Sequence, residues 1–244
     1  MPNPLIALLI AAFLTAIGLW FFWPERGVFW RWQLANEMTE RVVSEDALKH
    51  ILQCEIHNRQ PTVQSLAGAL NINPNQVAEI LHNLEEQEFL YIDGDQYCLT
   101  STGRDYALRI IRAHRLLERY LADATGFEEE EWHERAERLE HNLSTEDLDR
   151  LSALLGNPTH DPHGDPIPTA KGEMIYHERT PLTNLETGKP GRIVHLEDEP
   201  EAVYAQIVAE GLHVGQIIRM IEVSPQRIRF WAGGDEHLLA PIVA

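Results

Sequence analysis

Hydrophobic and polar positions change rhythm several times along this chain. Residues 4–23, PLIALLIAAFLTAIGLWFFW, are twenty consecutive positions without a charge. At 1.5 Å per residue such a helix reaches roughly 30 Å, the thickness of a bilayer core. Trp20, Trp23, Trp30 and Trp32 gather at its C-terminal end as an aromatic belt would. No basic side chain precedes the run, and no small-residue cleavage site closes it. The pattern therefore predicts an uncleaved transmembrane anchor over 1–24 rather than a signal peptide. Arg26 and Arg31 follow the span, so the positive-inside rule places the C-terminal body in the cytoplasm, tethered to the inner membrane in a single pass.

Beyond a mixed connector over 25–43, helical near QLANEMTERVV, the rhythm becomes that of small amphipathic elements. SEDALKHILQCEIHN opens with a Ser cap and an acidic first turn. PTVQSLAGALN has Pro at its start, and NPNQVAEILHNLEEQEF carries Val77, Ile80, Leu81 and Leu84 on one stripe. FLYIDGDQYCLTSTG then alternates around Asp93-Gly94, a hairpin signal. Three helices and a hairpin predict a winged helix-turn-helix over 44–104.

A helical domain is predicted over 105–168. Its helices are 105–123, ended by Gly126, then 128–143, then STEDLDRLSALLG with its own Ser cap. NPTHDPHGDPIPTAKG is too rich in Pro and Gly to be anything but loop. After a linker over 169–188, the runs GRIVHLE, QIIRMIEVS, RIRFWAG and HLLAPIVA, with helical EAVYAQIVAEG after the first, predict a small β-barrel over 189–244. The fold class is thus α+β.

Composition narrows the chemistry. A formal net charge of −18 attracts cations and repels nucleic acid unless basic residues are segregated. Only Cys54 and Cys98 occur, with no CxxC, which excludes a disulfide scaffold and a Cys-rich zinc site. His and Glu carry the signal instead. His114 and Glu118 lie four apart on one helix, and His133, Glu137, Glu140 and His141 share a face of the next. Imidazole and carboxylate without thiolate suit Mn, Fe(II), Co, Ni or Zn. The competing reading is a solvated charged face, which Glu128–Glu131, Arg135 and Arg138 resemble. No separate nucleophile or oxyanion arrangement is visible, so the chain is not read as an enzyme.

RAHRLLERYLADATGF, HERAERLEHNLS and the turn DPHGDPIP, in this order and spacing, resemble the metal-binding and dimerisation domain of the DtxR/MntR family of metal-dependent transcriptional regulators. The resemblance covers about 44–244. It implies a DNA-binding winged helix, a homodimer and an FeoA-like barrel at the C-terminus. It also implies a primary metal position from Asp46, Glu137, Glu140 and His141, and a second from His114, Glu118 and His133, with Glu201 reaching in from the barrel. Asp46 and Glu137 are hard oxygen donors, which favours Mn(II) over Fe(II). Asp46 has a plainer reading as a helix N-terminal acid, and His163 one as a structural residue of the turn. Lys49 departs from the family pattern, standing where short manganese regulators place a Glu.

The winged-helix segment sits uneasily with this resemblance. It carries three basic residues, Lys49, Arg59 and Arg104, against nine acids, and the recognition-helix equivalent from Asn75 to Glu88 has no Lys or Arg. Phosphate neutralisation supplies most non-specific affinity for DNA. Thr62, Asn75, Gln76 and Asn83 are the candidate contacts to bases or phosphates. Two functions follow. One is a membrane-anchored, metal-responsive regulator that dimerises and binds DNA when loaded. The other is a metal-sensing regulatory subunit of a manganese or iron transporter whose winged helix no longer binds DNA.

Overall fold

The structure is a computed structural model describing residues 8, 28–94, 96–176, 178–198, 201–241 and 243, with side chains in the first long helix from Thr39 onward and without that of Glu201. The chain divides into two compact units, residues 1–100 and 101–244.

The first unit begins with α1, Val28–Ile56, a single helix of 29 residues. The connector and the helix expected from Ser44 are therefore one element, and Ser44 is interior rather than a cap. No Gly or Pro stands between 28 and 56 to break it, and an interior Ser costs only a few tenths of a kcal/mol. Ala47, Leu48, Ile51 and Leu52 form its buried stripe. Thr62 caps α2, Val63–Ala69, and Asn73 caps α3, Pro74–Glu86, each through a capping box. Val77, Leu81 and Leu84 are the buried face of α3. β1, Leu90–Asp93, pairs antiparallel with β2, Gln96–Leu99, from Leu90↔Leu99 to Asp93↔Gln96. Three helices and a two-stranded wing make this unit a winged helix-turn-helix.

The second unit is built on α4, Ser101–Ala124. A 3-10 turn at Glu129–Glu131 leads into α5, Trp132–Glu140, and α6 follows at Thr145–Leu154. Leu117 and Leu121 of α4 pack with Ala136 of α5, and Ala113 and Leu116 pack with Leu148 of α6 and Ile167 of the following loop. Arg112, buried on α4, pairs with Asp149 of α6 at 2.8 Å. The Ser144 cap of α6 closes its box on Asp147. Ser144→Ala is expected to cost about 1 kcal/mol in urea unfolding; an unchanged midpoint would remove the cap from the account.

The C-terminal part holds β3, Pro190–Arg192, α7, Glu201–Ala209, β4, Ile217–Val223, β5, Ile228–Ala232, and β6, Asp235–Leu239. The strands form one antiparallel sheet in the order β3-β4-β5-β6. Gly233 and Gly234, at φ +61° and +102°, turn β5 into β6 in the two-residue hairpin that demands positive φ. Ile218, Met220, Ile228, Phe230 and Leu239 alternate inward onto Leu196, Ile207 and Leu212. The FeoA-like barrel expected here is corrected: among the described residues β3 and β6 do not pair, so the sheet is open. With only three residues in β3, there is too little ladder to close it.

The membrane anchor expected over 4–23 lies, Leu8 apart, outside the described residues. No helix among the described residues is long and apolar enough to cross a membrane. The helix that does form beyond the run, α1, carries Arg31, Glu37, Glu40, Arg41, Asp46 and Lys49. Anchoring, single-pass topology and inner-membrane localisation all depended on that span and are not supported, and the transporter partner, read from that span together with the acidic winged helix, loses its membrane ground with them.

Candidate metal centre

α4 presents His114 and Glu118 one turn apart, and α5 brings His133 against them. His114 Nε2 and Glu118 Oε1 are 3.0 Å apart, His133 Nδ1 lies 3.2 Å from Glu118 Oε1, and the two imidazole nitrogens are 3.2 Å apart. These three donor atoms lie close enough together for one ion to sit among them, and without an ion their contacts rest on protons carried by the imidazoles. His114 and Glu118 are buried and His133 half-buried.

Glu118 faces two ways. Its Oε2 lies 3.6 Å from Nδ1 of His163, which with Asp161 completes a second buried donor set around the same carboxylate. The turn that supplies both is held by its own geometry. Asp161 Oδ1 accepts from the backbone N–H of His163 and Asp165, and Arg115 of α4 donates to the carbonyl of Pro166 at 2.5 Å. Asp198, in the loop before α7, adds a carboxylate 3.5 Å from His133 Nδ1 and 3.6 Å from His163 Nδ1.

Electrostatics report a site crowded with negative charge. Burial would raise Glu118, but the imidazoles of His114, His133 and His163 outweigh it and hold the carboxyl well below the usual range. Burial opposes charge on His133, yet Asp198, Glu118 and Glu137 push it up to about 12. Burial likewise opposes charge on His163, and Glu118, Asp198 and Asp161 push it up to about 9. Burial, with the charges of Glu118 and Asp165, raises Asp161 to about 7 against the pull of Arg115. Without a metal, protons on imidazole balance the carboxylates. Metal coordination needs neutral imidazole, so binding must expel those protons and tighten as pH rises toward 9. Calorimetry of Mn(II) binding at pH 7.5 in two buffers of different ionisation enthalpy should show net proton release; proton uptake would contradict this balance.

The residues expected for the other metal position are partly assembled. Glu140, buried, accepts from His114 Nδ1 at 2.5 Å, and His141 Nε2 lies 3.6 Å from Glu140 Oε1. Glu137 is exposed and lies 3.5 Å from His133 Nε2. Asp46 sits half-buried on α1 in the first unit. Glu201 opens α7, and its side chain lies outside the described residues; the carboxylate that reaches His133 from this region is Asp198. Asp161, His163 and Asp198 were missed as donors from the sequence. The spacing Asp-Pro-His inside a rigid turn was the available signal for the first two.

Of the DNA-contact candidates, Asn75, Gln76 and Asn83 are exposed on α3, while Thr62 is occupied as the cap of α2. Gln76 spends its carbonyl on Asn73 at the start of α3.

A winged helix-turn-helix followed by a helix pair with a buried His/carboxylate cluster defines the class of metal-dependent repressors. Residues 100–169 match the iron dependent repressor metal binding and dimerisation domain. The iron-dependent repressor IdeR of Mycobacterium leprae is 30% identical over 179 residues, covering 66% of this chain and 76% of that protein. This chain belongs to that family, the DtxR/MntR repressors, whose members are regulators and not enzymes. IdeR of Mycobacterium tuberculosis is 35% identical over 134 residues, 54% of this chain and 57% of its own length, so the chain spans a little over half of that relative. A probable metal transport system membrane protein of Chlamydia pneumoniae is 46% identical over 91 residues, 37% of this chain and 20% of that protein. Among solved structures, a manganese-dependent transcriptional repressor complexed with manganese superposes with a TM-score of 0.75 at 28% identity, over 82% of this chain and 96% of that one. ScaR with bound zinc gives 0.69 at 30% identity, over 82% and 95%.

Proposed function

We propose that this chain is a metal-responsive transcriptional regulator that dimerises and binds DNA through its winged helix when loaded with a divalent transition ion, Mn(II) in preference to Fe(II). The observation that carries the reading is the buried cluster of His114, Glu118 and His133, extended by Asp161, His163 and Asp198. Its donors are imidazole and carboxylate only, and the buried Nδ1 of His163 has no hydrogen-bond partner. Both features fit a hard or borderline divalent ion. Glu140, His141, Glu137 and Asp46 are assigned to the primary position on the family resemblance. When bound, the ion supplies the positive charge that neutralises the buried carboxylates. His114 and Glu118 from α4 and His133 from α5 would hold it, with the buried Asp161 and His163 of the following turn on the other oxygen of Glu118. The family relatives that are themselves manganese- or iron-dependent repressors support the regulatory output.

The acidity of α3 shapes the test. Duplexes selected from a random library by the full chain with Mn(II) should bind in an ion-dependent manner and release on chelation. The affinity should fall less steeply with salt than for a basic recognition helix, because fewer phosphates are neutralised. Intact Mn(II) binding with no enrichment of any duplex would sink the reading.

A further inference from the structure

Within the cluster, the ring of His163 is fixed from the side away from the carboxylates. Its Nε2 lies 2.9 Å from the hydroxyl of Tyr204 on α7, and that hydroxyl donates to Glu129 Oε1 at 2.5 Å. A phenol has one proton to give. With that proton committed to a carboxylate that can only accept, the Tyr204 oxygen must accept from His163, and Nε2 must carry the hydrogen. The ring packs edge-on against Tyr204, with centroids 4.9 Å apart at 89°. In the neutral ring Nδ1 is then a bare lone pair. It is buried, without a hydrogen-bond partner, and lies 3.6 Å from both Glu118 Oε2 and Asp198 Oδ2.

We infer that Glu129 and Tyr204 are positioning residues that lock His163 in its Nε2–H form and so present Nδ1 to the metal. The inference rests on the proposed reading of this cluster as a metal centre. It gives a role to one member of the acidic run 128–131, which the sequence alone presents as a solvated face. The same relay links three stretches of the second unit: the turn before α5, the Asp161–Pro166 turn and α7. Outer partners of this kind set the tautomer and basicity of a ligating imidazole.

The test uses the full chain in a His141→Ala background, which silences the other candidate donor set. In the parent, histidine labelled with nitrogen-15 and loaded with cadmium-113 should show coupling of the metal to His163 Nδ1 and a protonated Nε2. Glu129→Ala frees the Tyr204 proton to turn toward Nε2, and Tyr204→Phe removes the acceptor. Each should lose the Nδ1 coupling and weaken Mn(II) binding, followed by the free-ion electron spin resonance signal, by about 10- to 100-fold. Glu129→Gln keeps an accepting oxygen and should restore most of both. Should Tyr204→Phe fail to fold, the Glu129 pair decides alone. Coupling and affinity unchanged in Glu129→Ala would overturn the relay while leaving the metal centre standing. Absence of coupling in the parent, together with parental Mn(II) affinity in His163→Ala, would overturn the centre and the relay with it.

Discussion

Replacing Glu118 by glutamine is expected to weaken Mn(II) binding on the order of 100-fold or more. Outer-shell changes around metal sites typically cost 10- to 100-fold, and Glu118 stands inside both donor sets, one oxygen in each. The amide keeps the shape but removes the charge. It also offers a nitrogen where a lone pair is required, so one of the two sets must lose its acceptor. The effect is readable as thermal stability. With Mn(II) at a thousand times the parent dissociation constant, the parent gains about 4 kcal/mol from the ion, and a variant 100-fold weaker gains about 1.4 kcal/mol. Equal metal-induced stabilisation in the two proteins would take Glu118 out of the site.

Gly164→Ala should damage the same cluster without touching a donor. Gly164 sits at φ +91°, and a Cβ there would lie 2.0 Å from the carbonyl oxygen of Val194. The left-handed backbone costs an L-residue about 1–2 kcal/mol. The overlap with backbone adds an overpacking penalty of about 1–3 kcal/mol. The turn can relieve the clash only by moving away from 194–196, where the Leu196 N–H donates to the His163 carbonyl at 2.9 Å. Asp161 and His163 move with it. Unfolding of the metal-free variant should therefore show a loss of about 2–5 kcal/mol, and Mn(II) affinity should fall as well. Gly188→Ala is the control, because φ is +81° but nothing lies within 4 Å of the added carbon. If the two variants lose the same stability, close packing of the Asp161–Pro166 turn is not what Gly164 provides.

Much of the molecule was legible in the sequence, for identifiable reasons. The i, i+4 pairing of His114 with Glu118 and the position of His133 are properties of helices, and helices preserve spacing. The Asn73-Pro74 start of α3 and the Asp93-Gly94 turn are local signals that tertiary structure had no reason to override. What was missed depends on chain reversal. Asp198 is 65 residues beyond His133, and nothing in its surroundings marks it apart from Glu197 or Glu199. Tyr204 reads as one more apolar position of α7, and Glu129 as one of four consecutive acids. The length of α1 was missed for the opposite reason. Ser44-Glu45-Asp46 is a good helix start, but a start signal does not end the helix already running into it. The apolar run at the N-terminus and the short strands at the C-terminus show the limit of composition. The first predicted an anchor that nothing supports, and the second a closure that the strand order does not contain.

An open sheet carries a hazard that a barrel would not. Its two outer strands leave rows of backbone N–H and C=O groups on which another chain could build, the usual beginning of edge-to-edge aggregation. Both edges here are blunted. β3 is three residues long and starts with Pro190, which cannot donate to an incoming strand. β6 begins Asp235-Glu236, two exposed acids, and charge on an edge strand discourages an incoming strand. In a protein of net charge −18, the same excess of acids that leaves α3 without Lys or Arg also discourages the unclosed sheet from recruiting strands.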